Sequence, residues 1–426
     1  MEEFIIEGGH PLEGTLIPSG NKNSALPMLA AALLTDEEVV LENVPRIEDI
    51  KALMEIISAL GVDIDETGEH EVRVHAKHVR TTSLDPELCR HIRASILLAG
   101  PVLARCGRIN LPPPGGDVIG RRRVDTHLAA LRSLGAEIEI GRGYDMKTTG
   151  LKGREIFLDE ASVTGTENAL MAACTASGTT TIKNAASEPH VQDLAQFLNK
   201  MGARIRGIGT NTLVVHGVDK LRGGHFRISP DHIEIGSLIG AAAVTNGEIL
   251  IKDAAPQHLP MILLMFARLG ITVDIRGQDV FVPRQQSLEI VTDAHGVTPR
   301  IDDAPWPGFP ADLISIATVV ATQCQGTILM FEKMYESRMF FVDKLFSMGA
   351  RIVLCDPHRA VVMGPTQLHS ETLTSPDIRA GMAMLIAALC ADGRSIIKNI
   401  SQIDRGYERI DEKLRALGAR ITRVKH

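Results

Sequence analysis

At 426 residues, with 44% hydrophobic and 23% charged residues, the chain is too long for one core and has the composition of a soluble protein of two or three domains. A net charge of −7 argues against general nucleic-acid binding, and with aromatics at 4% the core falls to aliphatic and alanine packing. The six cysteines (89, 106, 174, 324, 355 and 390) have no CxxC or paired spacing, no basic leader opens the chain, and no apolar run is long enough for a membrane span. Reduced thiols, a cytoplasmic location and no metal site are the expectation.

In chain order, SGNKNSALP (19–27) leads from a glycine turn into an alanine-rich helix. Next, Ile47, Ile50, Leu53, Met54, Ile57 and Leu60 recur at three- and four-residue steps and predict an amphipathic helix. Gly61 then falls where a helix end favours a left-handed residue, and Val62-Asp63-Ile64 begins a strand alternation. The same phrase returns with glycines at 135, 202, 270, 349 and 418, a period of about seventy residues. Before each glycine, a second alanine-rich helix, a turn and a short strand ending near Asn or Asp keep phase with it. LMAACTASGTTTIKNAA (170–186) and MLIAALCADGRSIIKNIS (384–401) are examples. Each unit therefore reads as helix, strand, helix, strand, strand. Six such units suit two domains of three, each about a pseudo-threefold axis; an open solenoid is the alternative that the repeats leave.

Four segments could carry chemistry. In SGNKNSALP, Lys22 and Asn23 enter a helix N-terminus, where a cation and backbone amides suit an anion; a solvated loop lysine is the plainer reading. LPPPGGDVIGRRRVDTH (111–127) is a Pro/Gly-rich loop with Asp117 beside Arg121, Arg122 and Arg123, and guanidinium forks suit phosphates and carboxylates. DDAPWPGFPAD (302–312) sets Asp312 before an apolar helix at 313–322, where a plain helix cap is the default. In IDRGYERIDEKL (403–414), Arg405 and Arg409 share a side if the helix has begun by Arg405. No P-loop, GxSxG or HExxH pattern is present.

Together and in this order the segments resemble the UDP-N-acetylglucosamine 1-carboxyvinyltransferase family, within the EPSP synthase superfamily, over essentially the whole chain. The resemblance implies two inside-out α/β domains joined by a double crossover, residues 22–229 and residues 1–21 with 230–426. It also implies a mobile loop at about 111–123 and an active site in the cleft between the domains. The implied enzyme is a transferase of peptidoglycan synthesis, and so of cell-wall growth and division. It moves the enolpyruvyl group of phosphoenolpyruvate to the 3-hydroxyl of UDP-N-acetylglucosamine by addition and elimination, with no cofactor, metal, nucleic acid or membrane. Another acceptor, or an inactive paralogue with a binding role, are the alternatives.

By resemblance Lys22, Asn23, Arg122 and Arg405 hold phosphoenolpyruvate. Arg93, Arg122, Val124, Asp125, Thr126, Ala161, Ser162, Val163, Thr164, Asp312 and Met334 hold the sugar nucleotide. Asp117, Lys22, Asp312 and Arg405 carry the catalysis, and Arg338, Asp377 and Arg379 surround the closing cleft. Two positions depart from the commoner family pattern. Asp117 stands where many members have the cysteine that fosfomycin alkylates, which implies resistance, and Glu160 replaces a lysine seen in some members.

Overall fold

A computed structural model describes residues 2–116 and 123–425. They divide into two compact units, here called the middle unit (20–116 and 123–229) and the terminal unit (2–19 and 230–425).

Six sheets are formed, three in each unit, and each belongs to one repeat. The repeat has one more strand than its sequence pattern suggests. In the third, Glu155–Phe157 precedes the central helix and pairs parallel with Thr179–Lys183, which pairs antiparallel with Thr212–His216. These first strands are as short as three residues, too short for an alternation to register. In the second repeat the strand shrinks to a single parallel bridge, Ser83 to Asn110. The sixth repeat ends at the C-terminal strand, Arg420–Lys425, and borrows Glu2–Glu7 from the other end of the chain as its last strand.

Each unit is built round three central helices. In the terminal unit these are His232–Val244, Ile314–Gln323 and Ile378–Cys390, which pack on one another. Twelve of the thirteen residues of His232–Val244 are buried, as expected of a helix that is apolar all round. In the middle unit Ala99–Cys106 and Val163–Ala173 pack on each other, and Lys22–Ala31 packs on the 3-10 turn Arg93–Leu98 that leads into Ala99–Cys106. Helices inside and half-buried sheets outside give the inside-out α/β architecture. The outer helices end at the repeated glycines, whose φ values at 61, 135, 202, 270, 349 and 418 are 86°, 102°, 102°, 74°, 94° and 95°. An L side chain is strained there.

The strand before the first central helix and the strand before the fourth have exchanged sheets. Glu13–Leu16 pairs parallel with Glu248–Ile251 in the terminal unit, and Gly224–Arg227 pairs parallel with Glu38–Glu42 in the middle unit. Backbone bonds fix each passage: Asp231 N–H donates to Ser19 O and Asn21 N–H to Ser229 O. Lys22 and Asp231 both follow these passages directly.

Candidate active site

In the middle unit, Lys22 opens its helix and Asn21 caps it, the Asn21 side chain accepting from Asn23 N–H at 2.8 Å. The Lys22 ammonium is buried and lies 2.6 Å from Asp49 Oδ2. Asp49 occupies the first turn of Glu48–Ala59, on the same stripe as Leu53 and Ile56. An acid on an apolar stripe needs a buried partner, so spacing marks Asp49 as paired without saying with which group.

The 124–126 and 160–164 segments come together. Val124 precedes Asp125–Ser133, and Asp125 pairs with Arg123 at 3.0 Å. The Thr126 hydroxyl is 2.6 Å from Asp159 Oδ1 and 3.4 Å from Glu160 Oε1, so Glu160 faces a neutral donor as well as neighbouring charge. Ala161, Ser162, Val163 and Thr164 are half-buried, and Ser162 caps Val163–Ala173 by accepting from Gly165 N–H. Half-buried Arg93 donates to Arg123 O at 3.1 Å.

His127, which the motif reading passed over, ties these segments. Asn168 Oδ1 accepts from Gly100 N–H, so its amide nitrogen is the group that faces Ile96 O and His127 Nδ1, at 2.9 Å each. His127 therefore accepts at Nδ1 and carries its proton on Nε2, 3.1 Å from Thr164 Oγ1. The Thr164 oxygen accepts this bond. Burial, and then the Arg93 charge, push the imidazole pKa down to about 3 and keep it neutral.

In the terminal unit, Asp312 lies in the 3-10 turn Ala311–Leu313 and caps neither that turn nor Ile314–Gln323. Its carboxylate instead accepts from Arg338 Nη2 at 3.1 Å and from Arg379 Nε and Nη2, both at 2.9 Å. The arginine side chains are 5% and 6% exposed, whereas that of Asp312 is 28% exposed. Burial works against the charge on both guanidiniums, and Asp312 together with further acidic neighbours, Glu332 for Arg338 and Asp231 for Arg379, more than reverses this, so both pKa values rise. Asp377 caps Ile378–Cys390 through Arg379 N–H and Ala380 N–H, which aims Arg379 inward, and the Arg379 guanidinium also stacks 5.2 Å from the Tyr407 ring centre. Met334 is 43% exposed.

Arg405 ends the short helix Ser401–Asp404 and donates to Gln402 Oε1 at 3.0 Å. The shared helix side for Arg405 and Arg409 is not formed. Arg409 has φ 44°, ahead of a separate helix, Ile410–Ala416, and pairs with Glu412. Between the two helices Gly406 packs closely on Ile378, where a Cβ would come within 2.4 Å. Asp117, Arg121 and Arg122 lie outside the described residues. Glu42, Glu71 and His225 form the one cluster with metal-ligand spacing among the described residues; Glu42 and His225 lie on the paired strands Glu38–Glu42 and Gly224–Arg227, and His225 is exposed.

The family model described as EPSP synthase (3-phosphoshikimate 1-carboxyvinyltransferase) matches residues 6–414. A UDP-N-acetylglucosamine 1-carboxyvinyltransferase of Bradyrhizobium diazoefficiens is 60% identical, covering 99% of this chain and 98% of the relative. One of Treponema denticola is 54% identical, covering 99% of each. Among solved structures, the enolpyruvyl transferase NikO of Streptomyces tendae superposes with a TM-score of 0.89 at 25% identity, over 100% of this chain and 99% of that one. An EPSP synthase of Acinetobacter baumannii, with a TM-score of 0.77 and 16% identity over 100% of each chain, shares the fold.

Proposed function

As the chain belongs to the EPSP synthase family and, within it, to the UDP-N-acetylglucosamine 1-carboxyvinyltransferases, we infer that it transfers the enolpyruvyl group of phosphoenolpyruvate to UDP-N-acetylglucosamine and releases phosphate. The acceptor is the sugar 3-hydroxyl. One geometric observation supports this most: Asp312 is clasped by two buried arginines while part of its carboxylate stays exposed. A carboxylate so fixed can accept the hydrogen bond of an alcohol and hold its oxygen in line for attack.

Lys22, Asn23, Arg122 and Arg405 supply the cations and amide for the phosphate and carboxylate of phosphoenolpyruvate. Asp49 fixes the Lys22 ammonium. The sugar oxygen attacks C2 as its proton passes to Asp312 and C3 takes a proton from Asp117; the tetrahedral intermediate then returns a C3 proton to Asp117 as phosphate leaves and the C2–C3 double bond re-forms. Phosphate leaves from a site already lined by cations, so charge is met where it develops. The 124–126 and 161–164 segments hold the uridine diphosphate, with Arg93 and Met334 beside them. Arg338, Asp377 and Arg379 keep Asp312 in place as the substrates are enclosed. The site is read as cytoplasmic and as serving peptidoglycan synthesis.

Phosphate release from phosphoenolpyruvate should require UDP-N-acetylglucosamine. Equal turnover with shikimate 3-phosphate, or none with either acceptor, contradicts the reading. Since a carboxylate alkylates far less readily than a thiolate, fosfomycin should cause no time-dependent inactivation, and Asp117→Cys should stay active and become sensitive. Progressive loss of wild-type activity with fosfomycin would remove Asp117 from its assigned place.

A further inference from the structure

Three of the six sheets close the strand after the central helix in the same way. Asn43, Asn184 and Asn399 follow Glu38–Glu42, Thr179–Lys183 and Arg394–Lys398 with φ values of 59°, 57° and 58°. Each side-chain amide donates to the carbonyl just past the neighbouring parallel strand, at Ile228, Leu158 and Ser375, over 2.8 to 2.9 Å. In the fifth repeat the place after Gly326–Phe331 is taken by Glu332, and the residue just past the parallel strand Arg300–Asp302 is Asp303. A neutral amide contact has become a pair of carboxyls.

Register puts both inside. Asp302 pairs with Phe331, and the inward rows Ile301 to Asp303 and Met330 to Glu332 run side by side; both carboxyl residues are 0% exposed. Their acceptors are used by the segment that follows. Lys333 N–H donates to Asp303 Oδ1, and Tyr335 N–H to Glu332 Oε1 at 3.1 Å. Met334 N–H is shared, 3.3 Å from Asp303 Oδ2 and 3.2 Å from Glu332 Oε1. One donor thus draws an oxygen of each carboxyl together out of water, where two carboxylates resist joint ionisation.

The charges that face the pair relieve this only in part. Arg338 Nε is 3.9 Å from Glu332 Oε2, beyond a hydrogen bond, and its Nη2 is engaged with Asp312. Lys333 turns to Asp302, and His358 meets only the Glu332 carbonyl, Nδ1 to O 2.7 Å. Burial pushes the Glu332 carboxyl up to about 9, with Arg338 opposing and Asp303 adding to the rise.

We propose that Asp303 and Glu332 hold one proton between them and act as positioning residues for the sugar-nucleotide site, fixing the backbone at 333–335 and through it Met334 and the Arg338 that grips Asp312. The proposal rests on the assignment of Met334 and Asp312 given above. The three asparagines close their sheets without burying charge, so closure alone does not call for an acid pair. What the pair adds is four backbone bonds to the segment that carries those residues.

Glu332→Gln keeps the Oε1 acceptor and can donate to Asp303 at any pH, whereas Glu332→Ala removes the acceptor of Tyr335 N–H and one of the two acceptors of Met334 N–H. Kinetics of the full chain with phosphoenolpyruvate and UDP-N-acetylglucosamine should show Glu332→Ala losing about tenfold or more in kcat/KM for the sugar nucleotide, with Glu332→Gln within about twofold of wild type near neutral pH. The ratio of Glu332→Gln to wild type should rise as pH passes about 9, where the wild-type pair loses its proton. Denaturant unfolding reads the pairing without any substrate. A carboxyl raised from 4.5 to about 9 on folding makes wild-type stability fall as pH rises through that window, so Glu332→Gln should gain on wild type across it. Glu332→Gln as impaired as Glu332→Ala, or a stability difference independent of pH, overturns the proposal. Absent wild-type turnover with the expected unfolding profile overturns the assigned reaction and, with it, the positioning role.

Discussion

The middle unit sets one buried cation against one buried anion, Lys22 against Asp49, while the terminal unit sets two buried guanidiniums against the single carboxylate of Asp312. In the first case the charges balance within the pair. In the second, Arg338 Nε and Nη1 and Arg379 Nη1 have no hydrogen-bond partner among the described residues. A balanced pair contributes little net stability and fixes a side chain, whereas a surplus of buried donors costs stability and persists where binding or turnover benefits. Lys22 is therefore held as a fixed point of charge, and Asp312 as an acid whose own position is overdetermined.

The largest expected effect breaks the terminal cluster. Asp312→Asn retains the size but not the charge, and turnover in a phosphate-release assay should fall at least about a hundredfold, the scale of a lost acid–base or orienting group. Its unfolding midpoint should fall as well, since two guanidiniums lose their countercharge. Near-normal turnover would reduce Asp312 to a structural role.

Asp49→Asn should act chiefly on stability, by about 3–5 kcal/mol in urea unfolding, because Lys22 would be left as a buried cation facing an amide. Wild-type stability in that variant would mean that the pair is replaced by solvent, and the contrast between the units would disappear.

A smaller effect separates neutral groups. His127 is depressed from 6.5 to about 3, so the unfolded chain binds a proton in that window and the folded chain does not. Stability from this group is present above pH 6.5 and is lost as pH falls toward 3. His127→Gln should show a shallower acid decline than wild type, and identical slopes would refute the neutral assignment.

The smallest effect asks whether the scaffolds match where the sites differ. Gly202 and Gly418 have φ values of 102° and 95°, and a Cβ would meet nothing closer than 3.5 Å at either. Alanine at each should cost about 1 kcal/mol, the backbone penalty alone. Unequal costs would show that the repeats are not energetically equivalent.

How much of this could be read from sequence differs by element. The outer helices, their glycine ends and the strands after them were legible because each depends on a few neighbouring residues and a period of 3.6 or 2. Glu48–Ala59 and Ile410–Ala416 begin within a residue of the positions that their apolar spacing implies. The short first strands were not legible, since three residues carry no period. The motif segments could be named by resemblance, yet their contacts could not. The shared side of Arg405 and Arg409 depended on one helix having begun by Arg405, whereas one helix ends at Asp404 and the next begins only after a left-handed Arg409.

The sequence by itself determined the six-fold repeat, the secondary structure of most of each repeat and the family, because local sterics and burial are written in adjacent residues. Tertiary structure alone decided that Glu13–Leu16 and Gly224–Arg227 exchange sheets, that Lys22 meets Asp49, and that Asp312 meets Arg338 and Arg379. Those outcomes depend on strand register and on which buried charge finds which partner. Such energies arise between groups far apart in the chain, and no local pattern records them.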